Sequence, residues 1–168
     1  MRYKAREPDE LTAALIGELG PVIDGLGFAL VELDLFRRKM SAQIRLIVTK
    51  KPADSGEKRG TSPESRARIG TDELAGVHRA VLPRLELTLP GTDLYVEVSS
   101  PGIDRLIKEG AEFRNYVGQH IKCWLKGADD WKHGALLACD EEKITLETAE
   151  GIQELNYDAI AKSRLGVS

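Results

Sequence analysis

Hydrophobic positions near the start of the chain recur first at a helical and then at a strand period. Leu11, Leu15, Leu19, Val22, Ile23 and Leu26 fall at three- and four-residue steps, which predicts one amphipathic helix over about residues 9–26. Pro8 and Asp9 suit its start and Gly27 its stop, and Pro21 is expected to kink or divide it. In FALVELDLFRR the period drops to two. Val31, Leu33 and Leu35 alternate with Glu32 and Asp34, the pattern of a half-buried strand. A second strand follows, with Ile44, Leu46 and Val48 on one face and Gln43, Arg45 and Thr49 on the other. The short RKMS link between the two strands suits an antiparallel hairpin. Residues 51–69, KPADSGEKRGTSPESRARI, carry no periodicity and predict a mobile loop. Thr71 is placed to cap a second helix whose core face is Leu74, Val77, His78, Val81, Leu82 and Leu85, ending before Pro90-Gly91. DLYVEVSS then reads as a third strand, with Leu94, Val96 and Val98 on one side. Two helices covering one face of a three-stranded sheet would bury all of these sets.

Past residue 110 the pattern changes. A short helix near Ala111–Val117 leads into HIKCWLKG, KHGALLACD, KITLETA and GIQELN, separated by the turn signals GADD, DEEK and AEG. Short strands at this spacing fit a small antiparallel barrel. DAIAKSRL adds a helical turn and a last strand. The expected fold class is therefore α+β. An N-terminal α-β-β-α-β domain spans 1–100, a joint 101–110, and a small C-terminal β-barrel 111–168. At the joint, Pro101 cannot donate to a sheet ladder, and Pro101-Gly102 turns the chain.

Charge changes the picture more than composition does. The chain has 168 residues, 42% apolar and 30% charged, as a soluble globular protein has. The start, MRYKAREPDE, has no apolar run, and no stretch approaches the roughly 20 apolar residues of a membrane span, so the expected compartment is the cytoplasm. The net charge is −3, yet residues 37–68 hold ten lysines and arginines against three acids. That asymmetry points to a local basic surface on an otherwise acidic chain.

One segment carries a resemblance. VEVSSPGIDR, followed by the aromatic-bearing EFRNYVG and the lysine-bearing strand IKCWL, resembles the ribosome maturation factor RimP family. GLGFALVELDL and the closing DAIAKSRL fit the same pattern. The chain departs from it at Leu106, where the family has proline, and in a longer, more basic loop. The resemblance implies a KH-like N-terminal domain and an SH3-like or Sm-like barrel. It implies a non-enzymatic factor that binds the free small ribosomal subunit and helps its late assembly, with the barrel contacting a ribosomal protein.

Each candidate residue has a plainer reading beside the functional one. Arg37, Arg38 and Lys39 at the hairpin tip, and Lys50, Lys51, Lys58, Arg59, Arg66 and Arg68 around the loop, either form a solvated surface or contact ribosomal RNA phosphates. The charge contrast favours the second reading, since such contacts release counterions without reading bases. The chain has no run of exposed aromatics for stacking and no GxxG clamp outside the helix read over 9–26, which argues against single-strand base readout. Ser99, Ser100, Pro101, Gly102, Asp104 and Arg105 form the interdomain joint, with Asp104 and Arg105 expected to lock the turn more than to touch a partner. Trp131, between Asp130 and Lys132, is a candidate anchor for a protein partner, against partial burial on the barrel. Cys123 and Cys139 lie near His120 and His133 in sequence but lack metal-ligand spacing, so no metal is expected. Ser99, Ser100 and the three histidines sit in no nucleophile or zinc motif, so neither catalysis nor a cofactor is expected. A monomer is expected, since no interface stripe stands out. The alternatives are a general RNA-binding regulator and a protein-interaction adaptor built on the barrel.

Overall fold

A computed structural model describes residues 1–4, 7–51, 69–102 and 105–166. The fold is α+β, and the chain divides into two compact units. One holds the described residues 7–51 and 69–101. The other holds 1–4 together with those from 102 onward.

The first unit is built from α1 (Glu10–Gly25), β1 (Phe28–Arg37), β2 (Ser41–Lys50), α2 (Thr71–Thr88) and β3 (Asp93–Ser99). Asp9 caps α1: its carboxylate accepts from the Thr12 amide and the Thr12 hydroxyl, both at 2.9 Å. Those bonds hold the Asp9 carboxyl below its ordinary pKa. Pro21 lies inside α1 and Pro83 inside α2 without ending either helix, so the expected division at Pro21 does not occur. Both prolines are exposed, where water can take the carbonyl each one frees. The cap of α2 is Gly70 and not Thr71. The Glu73 carboxylate reaches back to the Gly70 amide at 2.8 Å.

The sheet order is β1-β2-β3, antiparallel between β1 and β2 and parallel between β2 and β3. Parallel neighbours need a crossover, and α2 lies on the connection between them. The register aligns Leu35, Ile44 and Val96 in one row across the strands, and Leu33, Leu46 and Val98 in another. These rows pack in one core with Leu15, Leu19 and Ile23 of α1 and Val77, Val81 and Leu85 of α2. Simple alternation put Val31 in this set. A β-bulge between Leu30 and Glu32 instead makes Val31 the extra residue, so Phe28 and Leu30 precede it on the core face.

The second unit contains β4 (Leu106–Ile107), a 3-10 turn (Gly110–Tyr116), β5 (His120–Leu125), β6 (Trp131–Cys139), β7 (Lys143–Thr148), β8 (Gly151–Asn156), a second 3-10 turn (Tyr157–Ala159) and β9 (Ile160–Leu165). Its strands pair in the order β4-β9-β5-β6-β7-β8, all antiparallel, an open order with β4 and β8 at the ends. β4 has no periodic signal, because two residues are too few to show one. Residues 1–4, assigned by sequence to the N-terminal domain, lie here. The Gly110 and Ala111 amides donate to the Arg2 and Tyr3 carbonyls at 2.8 and 2.7 Å, and the Tyr3 ring meets Tyr157 at 5.8 Å.

Arg105 turns its guanidinium into this unit and pairs with Glu112 at 3.3 Å, both side chains about nine-tenths buried. The other Glu112 oxygen accepts from the Lys108 amide at 3.1 Å. Burial pushes the Glu112 carboxyl above its ordinary pKa, and the guanidinium and the amide pull it back only in part. A raised carboxyl pKa means that the folded state holds the proton more tightly. Its contribution is therefore full at acid pH and declines as pH rises through the folded value. In Arg105→Met the carboxylate loses its counter-charge, so urea unfolding at pH 7 should show a loss of about 3–5 kcal/mol. The loss should shrink as pH falls and the Glu112 carboxyl takes up its proton. Gly134 on β6 offers a second test, because a Cβ there would lie 2.6 Å from the Glu147 carbonyl oxygen. Gly134→Ala should cost about 1–3 kcal/mol. Both tryptophans lie in this unit, so their fluorescence reports its unfolding directly.

Candidate nucleic-acid interface

The two-residue turn of the β1–β2 hairpin is closed by the Arg38 amide donating to the Ser41 carbonyl at 2.8 Å. Phe36, Arg37, Arg38, Lys39 and Met40 are all exposed at this tip. Three of the cations expected to meet RNA therefore stand together on a short, ordered projection. Lys50 and Lys51, at the other end of β2, are tied differently. Lys50 pairs with Glu73 at 3.4 Å, and Lys51 pairs with Asp24. Such exposed pairs are worth little and yield easily to phosphate. Lys58, Arg59, Arg66 and Arg68 lie outside the described residues, so the structure brings together only part of the basic set.

Alternation that sends Leu35, Ile44 and Val96 into the core sends their neighbours outward. Phe36, Gln43 and Tyr95 form one row across β1, β2 and β3. Phe36 is 60% exposed and Tyr95 is 65% exposed. With Leu35, Arg37, Arg38 and Ser41 they line an open cleft of about 850 Å³. The next row is Asp34, Arg45 and Glu97. No run of aromatics in the sequence marks this pair. Phe36 and Tyr95 are far apart in the chain, and the only signal is that each sits on the polar parity of its strand.

At the joint, Ser99 ends β3 opposite Ile47. Ser100, Pro101 and Gly102 follow without regular structure, and the Arg105 amide donates to the Gly102 carbonyl at 3.2 Å. Asp104 lies outside the described residues. Arg105 engages Glu112, a partner that no sequence pattern signals.

Trp131 is half-buried and does not stand alone. Its ring meets Trp124 edge-on at 5.5 Å, the two being cross-strand neighbours. Lys162 places its ammonium 5.1 Å from the Trp131 ring and 5.5 Å from Trp124, and Lys122 lies 5.5 Å from Trp131. The result is a cationic aromatic cluster on the C-terminal sheet.

Cys123 is fully buried and accepts from the Ser163 hydroxyl at 3.1 Å. Burial pushes its thiol up to about 11, which disfavours the thiolate. Among the described residues no three His, Cys, Asp or Glu side chains gather as a metal site would require, and no helix is long and apolar enough to cross a membrane.

A family model described as the RimP N-terminal domain matches residues 18–104. The chain is 26% identical over 144 residues to the protein named Ribosome maturation factor RimP of Borrelia hermsii (strain HS1 / DAH), covering 86% of this chain and 88% of that one. The same-named protein of Borrelia turicatae (strain 91E135) gives the same identity and coverage. That of Borrelia garinii subsp. bavariensis is 26% identical over 140 residues, 83% of this chain and 85% of its own. With the family model spanning more than half of its residues, the chain belongs to the RimP family.

Proposed function

We propose that this chain is a ribosome maturation factor that binds the free small ribosomal subunit and assists its late assembly. The observation that carries this reading is family membership joined to an exposed cationic hairpin on a chain of net charge −3. Arg37, Arg38 and Lys39 contact ribosomal RNA phosphates, assisted by Lys50, Lys51, Lys58, Arg59, Arg66 and Arg68. The phosphate contacts position the protein and carry no base preference of their own. In this reading the first unit is a KH-like module whose helices back the sheet. The second is an SH3-like or Sm-like barrel, a reading supported by six short antiparallel strands with bulges on β9 and β6. The barrel holds a small-subunit ribosomal protein, with Trp131 in its cationic aromatic cluster as the anchor. The protein works as a cytoplasmic monomer, by binding alone, with no cofactor and no covalent step.

Co-sedimentation with separated small subunits, large subunits and assembled ribosomes over a salt series tests this reading. The expected result is selective, salt-sensitive binding to free small subunits. In the triple variant Arg37→Ala, Arg38→Ala, Lys39→Ala, binding weakens and the log–log salt slope falls by about 0.7–0.9 for each phosphate no longer neutralised. Equal binding to every particle contradicts the reading and favours a general RNA binder. Binding indifferent to salt and to the triple variant favours a protein adaptor.

A further inference from the structure

We propose that the exposed row of Phe36, Gln43 and Tyr95, on the outer face of the N-terminal sheet, is a stacking platform for unpaired RNA bases. Phe36 and Tyr95 each stack one base, Gln43 between them meets a base edge, and Arg37 and Arg38 hold the adjoining phosphates. The inference rests on the ribosome-maturation reading for the source of the RNA and goes beyond it in the mode of recognition.

Single exposed apolar residues are ordinary on protein surfaces. These two are not scattered. The register places them in one transverse row, separated only by Gln43 on the central strand. Neighbouring strands lie about 4.8 Å apart, so two strand spacings leave roughly 10 Å between the backbones that carry the rings. That separation suits one base on each ring and leaves the Gln43 amide, a donor and an acceptor, to pair with an edge. The cleft beside the row is about 850 Å³, and among the described residues its lining includes two guanidiniums and no carboxylate.

The surrounding charges favour a single strand over a duplex. Asp34 and Glu97 flank Arg45 in the neighbouring row, and Asp93 stands on the same face of β3. A duplex laid on this face would press phosphates towards those carboxylates. A single strand turns its bases to the sheet and its phosphates outward, where Arg37, Arg38 and Lys39 at the hairpin tip can reach them.

The test is fluorescence anisotropy with a labelled ten-nucleotide single-stranded RNA and the same strand annealed to its complement, using the full chain. The expected result is a preference for the single strand. Phe36→Ala and Tyr95→Ala should each weaken binding at least five-fold with an unchanged salt slope, while Phe36→Tyr and Tyr95→Phe retain it. Both rings are more than half exposed, so thermal melting of the alanine variants should match the parent. Alanine variants that bind the single strand as tightly as the parent, or a parent that prefers the duplex, overturn the platform. Sedimentation of the same variants with free small subunits separates the two readings. Undiminished subunit binding with unchanged oligonucleotide affinity removes the platform and leaves the maturation role. A parent that ignores small subunits removes the ribosomal source of the strand, whatever the oligonucleotide shows.

Discussion

The alternation of side chains across three strands is the constraint on which the N-terminal unit depends. Burying Leu33, Leu46 and Val98 in one row and Leu35, Ile44 and Val96 in the next leaves no choice about what faces outward. Slipping β1 by one residue would carry Phe36 into the core and Leu35 into solvent. Full burial of a Leu, Ile or Val side chain is worth about 1.5–3 kcal/mol, so such a slip would forfeit several kcal/mol across one strand. The hydrophobic effect that builds the core thus also places Phe36, Gln43 and Tyr95 together. The bulge at Val31 lets the start of β1 keep Phe28 and Leu30 on the core side while its end keeps Leu33 and Leu35 there.

Charge is used in two ways. Arg105 and Glu112 are a buried pair, held by a second bond from the Lys108 amide, and they shape the C-terminal unit. Removing one partner leaves a desolvated charge, so this pair is architecture rather than surface. The hairpin cations are the opposite case. Arg37, Arg38 and Lys39 are exposed on a short turn, where solvent screens them until an anion displaces the water. Lys50 and Lys51 stand between these cases, each in an exposed ion pair that a phosphate can replace at small cost.

Much of this is legible from periodicity. The helix read over 9–26 is Glu10–Gly25, and the hairpin and the third strand appear where alternation puts them. Three local features are not legible, for physical reasons. A bulge inserts one residue without changing residue type, so alternation assigns Val31 to the core. Gly70 has no side chain to advertise a cap, because the bond comes from Glu73 reaching back. β4 is two residues long and is defined only by its pairing with β9. At the site, the cationic tip is readable from composition. The aromatic row is not, because it depends on β3 lying parallel beside β2, a non-local fact. Nor can sequence show that Arg105 turns to Glu112, seven residues away.

In the proposed binding mode, phosphate contacts from the hairpin and base contacts from the sheet would divide affinity and recognition between neighbouring parts of one surface. Ultraviolet crosslinking of the full chain bound to free small subunits, mapped by mass spectrometry of nucleotide adducts, tests that division most directly. Adducts are expected on the peptides that carry Phe36 and Tyr95. Adducts confined to residues 120–165, with none on those two peptides, would contradict it.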